Sequence, residues 1–149
     1  MKNMYLNLLV MAVLSFLSMF ALMYMMVDRF ANVYPNLNQF YMAAMMTAPM
    51  VILELLLMRA MYKSKLANTI IICASIVVLT FSIALLRWQT GVDDKQFLKS
   101  MIPHHAGALL MCDNYHIEDA EIKELCKGIM ASQQSEIDWM NEKLSKLDK

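Results

Sequence analysis

Residues Ala67–Leu86 read ANTIIICASIVVLTFSIALL, twenty positions without a charge or a proline. A helix of that length rises about 30 Å, the thickness of a bilayer's hydrocarbon core. Two further runs, Leu8–Val27 and Phe40–Leu57, are of similar length and character. Of the 149 residues, 59% are hydrophobic and 17% charged, whereas a soluble domain is roughly 45–50% apolar and about 25% charged. The sequence therefore predicts an all-α membrane protein rather than a soluble globular one. Three transmembrane helices, at about 5–27, 39–60 and 67–87, form a domain over residues 1–90, and residues 91–149 form a second domain.

The net charge of zero conceals a division. Met1–Val92 carries six Lys/Arg against two acids, and Asp93–Lys149 seven against eleven. Three Gly and three Pro exclude long flexible linkers. No basic tract is dense enough for nucleic acid, and no Gly-rich phosphate loop is present. The first run exceeds the usual signal-peptide core and no A-x-A pattern follows it, so it reads as a retained helix. Arg59, Lys63 and Lys65 form the densest basic cluster beside any run, and such clusters mark the cytoplasmic side. The N-terminus is then cytoplasmic too. Three crossings of a bacterial inner membrane put the acidic domain in the periplasm or outside the cell, with Trp88 at the interface.

Two membrane features carry candidate chemistry. Glu54 lies inside the second run, where an acid is costly enough to mark a transport path or proton relay; an acid neutralised near Arg59 and Lys63 is the plainer reading. Met23, Met26, Met42, Met46 and Met50 crowd the outer halves of the first two runs. Thioethers suit Cu(I), so with Glu54 they form a candidate path for a soft ion. Flexible apolar filling is the alternative.

After Gly91 the pattern becomes that of two amphipathic helices. Asp93 or Asp94 caps the first, and Pro103 within it frees a carbonyl near Lys99 and kinks the helix just before His104 and His105. At about 100° per residue, Met101, His105, Cys112 and His116 share an arc, with His104 and Met111 to one side. On the second helix Cys126, Met130, Gln133, Ile137 and Met140 share another. A turn centred near Ile117 sets Met130 level with His104 and Gln133 level with Met101, so Met101, His104, His105 and Met130 form the first candidate ligand set. Met111, Cys112, His116, Cys126 and Met140 form a second tier. Thioether and imidazole donors without clustered carboxylates favour Cu(I) or Ag(I) over harder ions. In that register Cys112 and Cys126 lie about four residues out of level, leaving a disulfide, thiolate ligation and simple packing all open. A hairpin of this size buries too little apolar surface alone, so it pairs with a second copy into a four-helix bundle or lies on the membrane part. No G-x-S-x-G turn or anion hole is present, and the chain is not read as an enzyme, a copper redox cycle being the catalytic alternative.

The run FLKSMIPHHAGALLM at Phe97–Met111, followed by QQSEIDWM at Gln133–Met140, resembles the bacterial family known as domain of unknown function 305. The resemblance covers about residues 93–147 and rests on Met101, His104, His105, Met111, Gln133, Glu136 and Met140. It implies a ferritin-like helical domain that binds copper through Met and His outside the cytoplasm, in tolerance or handling of the metal. Cys112, Cys126 and Met130 depart from the usual pattern and add sulphur. Gln133 and Glu136 are expected to bridge helices by hydrogen bonds. The copper reading implies a copper-handling partner protein. The rival reading is a structural or assembly module, a membrane-tethered helical oligomer without a metal.

Overall fold

The computed structural model describes residues 2–114 and 116–147. All regular structure among them is helical: α1 (Lys2–Leu22), α2 (Leu37–Leu57), α3 (Lys65–Arg87), α4 (Asp94–Asn114) and α5 (Ala120–Leu147). Two 3₁₀ turns, Met23–Met26 and Phe30–Asn32, lie between α1 and α2.

The chain forms two compact units. One comprises residues 1–23 and 38–91, the other residues 24–37 and 92–149. The division expected near residue 90 thus omits a segment, because the α1–α2 connection, Tyr24–Leu37, belongs with the hairpin.

In the first unit three segments, Met4–Met26, Leu37–Leu57 and Lys65–Arg87, are long and apolar enough to cross a membrane. Their bounds differ from the expected 5–27, 39–60 and 67–87 by at most three residues. Their side chains are largely outward-facing: Leu9, Leu14, Leu17, Leu53, Ile70, Val77 and Phe81 are all more than half exposed, which is the surface a helix offers to lipid. Leu8, Val51, Leu55 and Tyr62 pack together at one end. There Tyr5 Oη donates to Asn68 Oδ1 at 2.9 Å, and Ser64 caps α3 by accepting from the Ala67 amide. Past α3 the chain reverses through Gln89 (φ 50°) and Gly91 (φ 76°). The glycine takes this left-handed conformation at no steric cost, and Gln89 Nε2 donates to the Leu86 carbonyl, which also accepts from the Gln89 amide.

The second unit is the antiparallel hairpin α4–α5 plus its borrowed segment. Leu98, Ile102, Ala106 and Leu109 of α4 interleave with Ile137, Met140 and Leu144 of α5, and Val27 and Tyr34 close the cluster from the segment. Their spacing of three and four residues is the periodicity that gives a helix one apolar face. Pro103 lies inside α4 and lacks the N–H that would bond the Lys99 carbonyl. Asn36, buried on the connecting segment, supplies the missing donor: its Nδ2 lies 3.3 Å from Lys99 O and 2.9 Å from Tyr34 O. Gln96 Oε1 accepts from the Leu37 amide at 3.0 Å, and Tyr34 Oη donates to Asn141 Oδ1 at 2.9 Å. Gly107 allows the segment to come close, since a Cβ there would sit 3.3 Å from the Met26 carbonyl oxygen.

Candidate functional site

His105 is the buried histidine of the hairpin, 7% exposed, on the α4 face turned to α5. Its Nδ1 lies 2.9 Å from the Met101 carbonyl, one turn back. A carbonyl only accepts, so Nδ1 carries a proton and Nε2 is the atom presented to α5. Nε2 lies 2.7 Å from Glu136 Oε2, while the other carboxylate oxygen, Oε1, accepts from Ser132 Oγ at 2.9 Å. The Ser132 hydroxyl and the His105 ring together hold the Glu136 carboxyl below its ordinary value of 4.5. An ionised carboxylate leaves only acceptors, so the contact is complete when Nε2 also donates. His105 is thus clasped between the two helices through both ring nitrogens.

An open cleft of about 470 Å³ lies over this clasp, lined by Met101, His105, Glu136 and Met140, with exposed Phe97 and Trp139 on its rim. Two of the sulphur positions expected from sequence thus meet the imidazole here. His104 is exposed and does not line the cleft; its ring centroid is 5.9 Å from that of His105. Met111 is 56% exposed.

Met130 is elsewhere. It lines a cleft of about 370 Å³ at the loop end of the hairpin, with Cys112, His116, Cys126, Lys123 and Lys127. Cys112 and Cys126 are joined in a disulfide, with Cα atoms 5.5 Å apart. α4 ends at Asn114 and α5 starts at Ala120, so the turn is centred near Ile117 as expected, yet the disulfide sets Cys112 against Cys126, about one turn further along α5 than a mirror about that centre, and His105 reaches Glu136. Met130 lines the cleft beside Cys112 rather than one with His104. A two-fold mirror about the loop centre does not follow. The expected quartet Met101, His104, His105 and Met130 is not assembled, and two smaller groups replace it. As a disulfide, Cys112 and Cys126 offer no thiolate.

Glu136 bridges the helices as its position suggested, whereas Gln133 Oε1 is buried with no hydrogen-bond partner. The hydrogen-bonding roles of Ser132 and Asn36 were not expected from sequence. The first was signalled by S-x-x-x-E spacing, which sets two side chains on one helix face; the second has no local signal. Among the described residues no three His, Cys, Asp or Glu side chains are grouped to hold a metal ion. A metal site on this hairpin would have to use thioethers.

In the first unit, Met42, Met46 and Met50 recur every fourth residue along α2 and are 37%, 44% and 37% exposed. Met50 also lines an apolar cleft of about 550 Å³ with Met11 and Met19. Met23 belongs to this unit and Met26 to the other. Glu54 accepts a hydrogen bond from Tyr62 Oη at 3.2 Å, so a phenol rather than Arg59 or Lys63 is its partner in the structure.

Residues 82–144 match a family described as a domain of unknown function, DUF305. The match takes in the end of α3, all of α4 and α5 as far as Leu144. The chain is also similar to an uncharacterized protein of Acanthamoeba polyphaga mimivirus, 36% identical over 108 residues that make up 71% of this chain and 69% of the viral protein. This chain and the viral protein therefore belong to one family, and the hairpin is its DUF305 domain. No solved structure matches the chain.

Proposed function

We propose that this chain is a membrane-anchored protein whose hairpin lies outside the cytoplasm and binds Cu(I), or Ag(I), as cargo, sequestering or relaying it in copper homeostasis or resistance. One observation carries the reading, the cleft in which Met101 and Met140 meet the imidazole of His105 beside Glu136. Tying Nδ1 to a backbone carbonyl is the usual way a ligating imidazole is oriented. A soft monovalent ion would replace the proton between Nε2 and Glu136. The two thioethers supply the soft donors that distinguish Cu(I) and Ag(I) from Zn²⁺ or Mg²⁺, and the carboxylate balances the charge.

The basic cluster Arg59, Lys63 and Lys65 supports a cytoplasmic N-terminus and an extracytoplasmic hairpin. A disulfide in the hairpin fits an oxidising compartment such as the periplasm. Pairing with a second copy into a ferritin-like four-helix bundle would cover Phe97 and Trp139, which are 51% and 61% exposed. A separate copper-handling protein is the natural source or recipient of the ion.

The test is a competitive Cu(I) titration of the full chain in detergent against Met101→Leu/Met140→Leu, a nearly volume-conserving exchange. Affinity is expected to fall by about tenfold or more, with helicity and melting unchanged. Equal affinity would overturn the proposal. The engagement of both ring nitrogens of His105 favours a second reading, in which the histidine is a structural clasp. That reading expects His105→Gln to lower the melting temperature and leave Cu(I) binding untouched.

A further inference from the structure

The loop end of the hairpin gathers a second set of soft donors that the His105 cleft does not use. Cys112 of α4 and Cys126 of α5 are disulfide-bonded, and the cleft beside them is lined by His116 and Met130. Cys126 and Met130 stand one turn apart on α5, so their side chains share a face. Lys123 and Lys127 line the same cleft, and ammonium groups beside a thiol favour the thiolate and hence exchange. Met130 is half-buried and His116 exposed, so the cleft is walled on one side and open to solvent on the other.

We infer that the Cys112–Cys126 disulfide masks a second soft-metal site, which opens on reduction and binds Cu(I) through both thiolates and the Met130 thioether. An external dithiol reduces the bond: the S–S bond breaks, two electrons and two protons pass to Cys112 and Cys126, and the dithiol closes to its own cyclic disulfide. Cu(I) then displaces the two thiol protons into solvent. The bond thereby sets the metal capacity of the domain, lower when oxidised and higher when reduced. The hairpin's packed core reaches this site, with Leu109 in it and Met130 packed against it, which holds α4 and α5 together after the bond opens. This site is separate from the one at His105, and each stands or falls on its own readout.

The experiment uses the full chain in detergent on a Cys73→Ser background, which removes the other thiol. Cu(I) is titrated before and after treatment with a dithiol that is then removed. The expected result is one additional equivalent of Cu(I) after reduction, a thiolate-to-copper absorption band in the near ultraviolet, and protection of both thiols from alkylation. Met130→Leu keeps the disulfide; it is expected to weaken the added site about tenfold or more and to leave the oxidised protein's binding unchanged. An unchanged stoichiometry on reduction, or an added site indifferent to Met130→Leu, would overturn the inference. Absence of Cu(I) binding by the oxidised form alone would instead count against the His105 site.

Discussion

Two levels of the hairpin, its loop end and its middle, are fastened by different chemistry. At the loop end, one covalent bond joins Cys112 to Cys126. At the other, His105, Glu136 and Ser132 form an ionic and hydrogen-bonded clasp, and Asn36 repairs the gap that Pro103 leaves in α4. A covalent tie opens to reductant, whereas the clasp responds to protons through Glu136. The hairpin thus has a redox-sensitive loop end and a proton-sensitive middle, each with a cleft lined by thioethers.

Breaking the covalent end should have the largest effect on stability. Cross-linking a loop of about 15 residues contributes about 3 kcal/mol in the chain-entropy account. Cys112→Ser/Cys126→Ser should therefore lower the thermal midpoint of the hairpin by several degrees, followed through Trp139 fluorescence in Trp88→Phe protein. An unchanged midpoint would mean that the tie is energetically idle.

Next comes the repair of the kink. Asn36→Ala leaves the Lys99 carbonyl without its side-chain donor, at a cost of about 1–3 kcal/mol for an unsatisfied buried group. Because alanine at position 103 would restore the missing N–H, Asn36→Ala/Pro103→Ala should lose less than the two single changes together. Additive losses in that double-mutant cycle would show that Asn36 acts otherwise.

The clasp should give the smallest change. Glu136 is held below its ordinary value of 4.5, so its contribution is complete above that pH and is lost as pH falls below 4.5 through the lowered value. The carboxylate is half-exposed, which screens the effect. Thermal midpoints of the wild-type chain should fall more steeply below pH 4.5 than those of Glu136→Gln, while the two run parallel nearer neutrality. Parallel curves throughout would remove the clasp from the account.

This contrast also marks what the sequence discloses. Apolar runs the length of a bilayer identify α1, α2 and α3, and spacing of apolar residues identifies α4 and α5, because both are local patterns. Pro103 announces an orphaned carbonyl near Lys99. Its partner, Asn36, lies 63 residues away, and only the fold of the α1–α2 connection brings it there. Register was the weakest inference, since helices that end and start symmetrically about Ile117 still pack about one turn out of the mirror register, and neither helix's pattern shows it. That shift separates Met130 from His105 and unites Met140 with it. The site residue types were therefore legible, while their grouping required the fold.

The most direct measurement follows the ring of His105 itself, by nitrogen NMR of the imidazoles in the full chain as Ag(I) is added. The account predicts that Nε2 of His105 exchanges its proton for the metal ion while the Nδ1 proton on the Met101 carbonyl persists. Retention of both ring protons at saturating Ag(I) would contradict it and leave His105 as a clasp alone.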